Sequence, residues 1–202
     1  MHRRTVLALS ACLLAAACGS DPEVSSSSGT VEPSPEASAA PASPAAPTSE
    51  PTSAEPVFPA STGVDEQEAV GGPLSVTAVR AARQDGYDRV VFELDGREPG
   101  EPGWRVMYVD DPRRDGSGEP VEVDGEATLV VLISGAGYPF DTGAEEAQSV
   151  TLPGDLEVVA DVELGAVFEG VYEAFVGVSR EAPFRVFRLA DPARVVVDVR
   201  HG

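Results

Sequence analysis

Phe184–Val199 reads FRVFRLADPARVVVDV. It holds two short valine- and phenylalanine-rich runs, Phe184–Leu189 and Arg194–Val199, separated by Ala190-Asp191-Pro192-Ala193. β-branched and aromatic runs of this length, broken by Asp and Pro, read as strand, turn, strand. The same grammar continues upstream. Val171–Val178 (VYEAFVGV) and Leu156–Leu164 (LEVVADVEL) read as two more strands, and Ala127–Ser134 (ATLVVLIS) as a continuous apolar strand central to its sheet. Trp104–Val109 (WRVMYV) follows a Gly/Pro-rich loop. Tyr87–Asp95 (YDRVVFELD) alternates cleanly, with Val90, Phe92 and Leu94 on one face and Arg89, Val91 and Glu93 on the other. Asp85-Gly86 before it suits a tight hairpin from Leu74–Ala82 (LSVTAVRAA). In that last strand Leu74, Val76 and Ala78 share a face, but Val79 breaks the alternation. Leu156–Gly170 is the one segment with a helical alternative, and its valines favour strand.

Eight short strands at roughly ten-residue spacing, with no amphipathic helix, argue an all-β sandwich or barrel. Tyr87–Leu94 and Pro192–Val199 echo one another. Each sets Arg before a Val-Val pair with an acid two residues beyond: Arg89-Val-Val-Phe-Glu93 and Arg194-Val-Val-Val-Asp198. Either the chain carries a weak internal repeat, or two strands obey the same inside/outside rule, which is the simpler reading.

Upstream of the strands the composition changes. Gly19–Gly72 is a Ser/Pro/Ala/Glu-rich tract with nine acids and no base. It cannot bury enough apolar area to offset chain entropy and reads as disordered. Its 54 residues would span roughly 40 Å as a coil and about 170 Å in extended polyproline-like geometry. That is a tether's reach, and a Ser/Thr/Pro tract outside the cell is open to O-glycosylation.

The first residues, Met-His-Arg-Arg, precede the 13-residue uncharged run Thr5–Ala17 (TVLALSACLLAAA). The run is too short to cross a hydrocarbon core of about 30 Å and has the length of a signal-peptide core. A buried core helix does not fit, because Ala and Leu on every face would have nothing to pack against. Small residues lead into Cys18-Gly19-Ser20, the pattern of a lipoprotein signal whose cysteine thiol takes the diacylglycerol. Ala15 stands where such signals usually carry Leu. Cys12, after Leu9-Ser10-Ala11, is the competing site, and a non-lipidated signal or stable anchor is the other alternative. The expected organisation is a signal peptide at 1–17, a tether at 18–72 and a folded domain at 73–202. Cys18 then ties the protein to the lipid bilayer at the extracytoplasmic face of the cell membrane.

The net charge is −20, and the domain from Pro73 carries 25 of the 34 acids against 12 of the 14 arginines, with no lysine. So acidic a domain repels nucleic acid, which is excluded as a partner. Cys12 and Cys18 are the only cysteines. The domain therefore has no disulfide, thiolate nucleophile or cysteine metal site. The mature chain would keep one histidine, His201, next to the C-terminus, where fraying argues against a general base. Triads and zinc sites are set aside on these grounds, and Ser134-Gly135-Ala136-Gly137 is not a nucleophile elbow. Asp111, Asp115, Gly116 and Glu122 follow the spacing of a calcium loop. However, Arg113 sits at a ligand position and Pro112 and Pro120 oppose the flanking helices, so a solvated acidic loop is expected. No cofactor or metal is expected.

Aromatics stack on sugar rings, and arginines pair with carboxylates of wall peptides. The candidate contacts are Trp104, Tyr108, Tyr87, Tyr138, Arg185, Arg188 and Arg194. Trp104 and Tyr108 also sit at core-like spacing, and the arginines are expected to face solvent.

FRVFRLADPARVVVDV together with SVTAVRAARQDGYDRVVFEL resembles AMIN-like domains of actinobacterial lipoproteins, relatives of the AMIN domain attached to cell-wall amidases and secretins. The resemblance covers Leu74–Val199, and ADPARVVVDV is its most specific part. It implies a sandwich of two small sheets and a non-catalytic role in localisation, often through peptidoglycan. An envelope-protein docking module is the alternative, and a small carboxylate-based wall hydrolase a distant third.

Overall fold

The computed structural model describes residues 57–60 and 62–202. The signal peptide, Cys18 and most of the tether lie outside the described residues. The strands are β1 (Asp65–Gln67), β2 (Val70–Gly71), β3 (Ser75–Gln84), β4 (Tyr87–Asp95), β5 (Gly100–Glu101), β6 (Gly103–Val109), β7 (Ala127–Ser134), β8 (Val150–Thr151), β9 (Val159–Phe168), β10 (Val171–Val178), β11 (Phe184–Leu189) and β12 (Ala193–Arg200). A single-turn helix, α1 (Pro139–Thr142), follows β7. Sheet I has the order β1-β6-β7-β10-β9, sheet II the order β11-β12-β4-β3-β8, and β2 pairs with β5 apart from both. The protein is the expected all-β sandwich, and the eight expected strands are its eight long ones.

The alternation of β4 is realised: Val90, Phe92 and Leu94 are buried between the sheets with Leu129, Val131, Ile133, Tyr172, Val195, Val197 and Val199. β7 lies at the centre of sheet I and is apolar throughout because both its faces are covered. Leu129, Val131 and Ile133 face sheet II, while Val130 joins Val121, Phe175, Met107, Val109 and Leu132 in a second cluster on the far side. The loop after β6 lies over that side. There Arg114 stacks on Phe175 and bonds the Leu164 carbonyl and Glu163, and the Asp115 N–H donates to Glu173. In the same loop Arg113 pairs with Asp111, the first acid of the calcium-like spacing, at 2.7 Å.

One strand interior and two boundaries differ from expectation. In β3 a register shift between Val76 and Ala78 inserts Thr77 as a bulge. Its hydroxyl donates to the Glu93 carbonyl. The extra residue reverses the alternation, so Val76, Val79 and Ala81 all point inward and Ala78 does not follow Val76. β9 starts at Val159, not Leu156, and runs to Phe168 before a hairpin with Glu169 (φ 48°) and Gly170 (φ 82°) at its tip. Two successive positive φ values give the twist that strand pairs prefer. The segment before it is held instead by the Asp88 carboxylate, which accepts the N–H groups of Glu157, Val158 and Val159 at 2.8, 2.7 and 3.0 Å. Finally, the fold begins before residue 73. β1 pairs with β6 over Asp65–Gln67, inside the stretch assigned to the tether. Composition misses it because its anchoring residue is an acid: Asp65 accepts the Trp104 indole N–H at 2.8 Å and the Val186 N–H at 3.3 Å. Asp65 thus joins the edge strand of sheet I to that of sheet II.

Candidate functional site

Sheet II packs its inner face on the core, and its outer face carries both buried polar groups, Asp198 and Arg185, and exposed ones such as Arg80 and Arg200. Register places the outward residues of β11, β12, β4 and β3 in rows. One row is Arg185, Asp198, Arg89, Ala82; the next is Phe187, Val196, Val91, Arg80; the third is Leu189, Arg194, Glu93, Ala78. Arg200 and Tyr87 pair beyond the first row. Five of the twelve domain arginines thus share one face of an acidic protein.

The first row is built around a buried acid. Asp198 is fully buried. Its Oδ1 accepts Arg89 Nε at 2.7 Å, and its Oδ2 accepts Arg89 Nη2 at 3.0 Å and Arg185 Nε at 2.9 Å. Arg185 Nη2 also lies 2.8 Å from Oδ2. One carboxylate thus bridges two guanidinium groups. Aromatic rings flank it: the Arg185 guanidinium lies 4.4 Å from the Phe58 ring, 5.0 Å from Tyr87 and 5.8 Å from Phe187. Arg89 lies 5.3 Å from both Tyr87 and Phe187. Guanidinium groups on π faces keep their charge while giving up water.

Two depressions flank this centre. A basin of about 240 Å³ is lined by Ala82, Val91 and Leu189 above the fully buried Val196, with Arg80, Arg89 and Arg194 around it; Arg80 Nη1 pairs with Glu93 at 3.1 Å. A wider, shallower hollow of about 580 Å³ is formed by Val57, Phe58, Asp85, Gly86, Tyr87, Arg185 and Arg200. Arginine forks above an apolar floor suit a ligand that combines carboxylates with small alkyl groups.

The sequence-predicted contacts divide. Tyr87, Arg185 and Arg194 reach this face. Arg185 does not face solvent as expected; it is buried because Asp198 and three rings enclose it. Arg194 is partly exposed and caps the β11–β12 turn, donating to the Pro192 and Ala190 carbonyls. Trp104 is buried on the inner side of sheet I. Arg188 points away from the outer face, to Glu101, the Pro102 carbonyl and the Trp104 ring. Tyr108 is structural: its hydroxyl donates to the Ala182 carbonyl and accepts the Ala182 N–H, both at 2.9 Å, and burial pushes its pKa up. Tyr138 lies on the loop after β7, stacked on Phe140. Asp198, Arg89, Arg80, Phe58 and Phe187 were missed. The signal for the first two was the echo between Arg89–Glu93 and Arg194–Asp198. The two segments pair antiparallel, so each arginine is set opposite the other's acid.

His201 is a second correction. It is not frayed: Nε2 lies 2.9 Å from Asp88 Oδ1 and the ring is 8% exposed. The chain end is held because the His201 N–H donates to the Gly86 carbonyl. Burial alone would raise the Asp88 pKa, but the Val158 N–H, the His201 ring and the Val159 and Glu157 N–H groups outweigh it, holding the carboxyl below its ordinary range.

No curated protein matches this chain. A family model does: that of the AMIN-like domain, over residues 74–201, from the residue before β3 to the histidine that closes on Asp88. The match takes in every long strand of both sheets and more than half of the 202 residues. The chain belongs to the AMIN-like domain family.

Proposed function

We propose that this is a membrane-anchored, non-catalytic lipoprotein whose AMIN-like domain binds peptidoglycan through the outer face of sheet II. The observation that carries the reading is the gathering of Arg80, Arg89, Arg185, Arg194 and Arg200, with Tyr87 and Phe187, on one face of a family known as a cell-wall-associated module. Stem peptides of the wall bear free carboxylates and alanine methyl groups. The arginine rim would take the former, and Ala82, Val91 and Leu189 the latter. The interaction weakens as salt screens the rim.

The test is sedimentation of the purified protein with isolated sacculi. Recovery in the pellet is expected, falling with salt and in an Arg80→Ala/Arg194→Ala variant; recovery wholly in the supernatant at every salt and Ca²⁺ concentration would sink the proposal. Anchoring is tested apart from binding. Cys18→Ala should move the protein out of the membrane fraction, and retention there with Cys12 still unprocessed rejects the anchor.

A further inference from the structure

We propose that Tyr138 and Phe140 form a stacking platform for a neutral pyranose ring, a saccharide site separate from the outer face of sheet II. Their rings are nearly parallel, 5.3 Å between centroids and 5° between planes. Both are exposed, Tyr138 at 40% and Phe140 at 74%, and Phe140 is the most exposed aromatic among the described residues.

The backbone beneath them is rigid. The Gly137 N–H donates to the Leu74 carbonyl, the Leu74 N–H to the Gly135 carbonyl, and the Ala136 N–H to the Gly170 carbonyl. The Ser75 hydroxyl donates to the Gly137 carbonyl and lies 2.7 Å from the buried Thr142 hydroxyl. Arg97 donates to the Phe140 and Asp141 carbonyls. Gly143, in the left-handed region, closes α1 on the Pro139 carbonyl. Two large rings are therefore held outward on a preorganised turn, so a ligand pays little ordering entropy there.

The surroundings select the occupant. Asp141 lies exposed in the same turn and Glu145 exposed just after it, while the neighbouring Arg97 guanidinium is turned onto the Phe140 and Asp141 carbonyls. The two acids outweigh that one cation and oppose an anionic polymer or an anionic bilayer. A neutral sugar ring suits the site, because its axial C–H groups carry the positive edge that the negative face of an aromatic ring attracts. The site stands whether or not the sheet face binds wall peptides.

The experiment is NMR titration of the full chain with tetra-N-acetylchitotetraose. Saturable shifts are expected at Arg97 and over residues 138–143. Phe140→Ala, which removes an exposed ring and leaves the other resonances in place, should weaken them roughly five- to tenfold, while Phe140→Trp restores them. Absence of saturable shifts on this loop overturns the proposal, as do shifts unaltered by Phe140→Ala. Phe140-dependent binding to phosphatidylcholine–phosphatidylglycerol vesicles in place of the sugar would also overturn it and make the loop a membrane contact.

Discussion

Replacing Asp198 by Asn tests the centre of sheet II. The side chain keeps its shape but loses its charge, and its amide turns an N–H toward one of two guanidinium groups. The wild-type carboxylate makes four contacts of 2.7–3.0 Å with Arg89 and Arg185. The acid is 0% exposed, and the arginine side chains are only 18% and 10% exposed. Removing one partner from a buried ionic group costs about 3–5 kcal/mol, most of it from the charges left behind. Here those charges are partly sheltered by Tyr87 and Phe187 and lie near the surface, where a long side chain can bend toward water. The expected loss is therefore at the low end, about 3 kcal/mol. For a domain of this size that corresponds to a fall of roughly 12 °C in Tm. Urea unfolding at neutral pH, followed by the fluorescence of Trp104, the single tryptophan, measures it. A double-mutant cycle with Arg89→Gln should give a coupling of at least about 1 kcal/mol. If Asp198→Asn costs less than about 1 kcal/mol, the claim that one acid holds two like charges together on this face fails.

Asp88 makes stability depend on pH. Its folded-state pKa is depressed, so its contribution is complete above the ordinary Asp value, about pH 4, and drains away as pH falls through the lower folded-state value. The wild-type urea midpoint should drop more steeply below pH 4 than that of Asp88→Asn; parallel pH profiles would contradict this. Asp65→Ala removes the bonds to the Trp104 indole and the Val186 N–H. It should cost about 1–3 kcal/mol and shift Trp104 emission, and an unchanged spectrum would show that β1 does not seat the ring. Tyr108→Phe leaves both the Ala182 N–H and carbonyl unpaired. A loss of about 1–3 kcal/mol by thermal melting is expected, and a neutral result would mean that water replaces the hydroxyl.

Local chemistry made the strands legible. Val90, Phe92 and Leu94 alternate with Arg89, Val91 and Glu93, and the Asp85-Gly86 turn precedes them, so periodicity alone places β4 and the hairpin before it. The apolar run of β7 likewise announces a central strand, since a segment covered on both faces needs no polar side. The ADPARVVVDV ending carried the family. What stayed hidden depends on partners distant in sequence. Thr77 as a bulge is invisible until β3 pairs with β4, because one extra residue reverses every later side chain. Asp65 looks like tether until Trp104, 39 residues on, supplies its partner. His201 looks like a frayed end until Asp88, 113 residues away, is buried beneath it.

The binding face shows the division most sharply. The sequence by itself determined that two Arg-Val-Val-x-acid strands exist, that the domain is acidic and thiol-free, and that arginines carry all its basic charge outside histidine. Only the tertiary structure decided that those strands are antiparallel neighbours in opposed register, setting Arg89 against Asp198 and bringing Arg185 in from β11. Charge content is a property of the chain. Which charges share a surface is set by strand order, and strand order is chosen by the burial of the opposite, apolar face of the same strands.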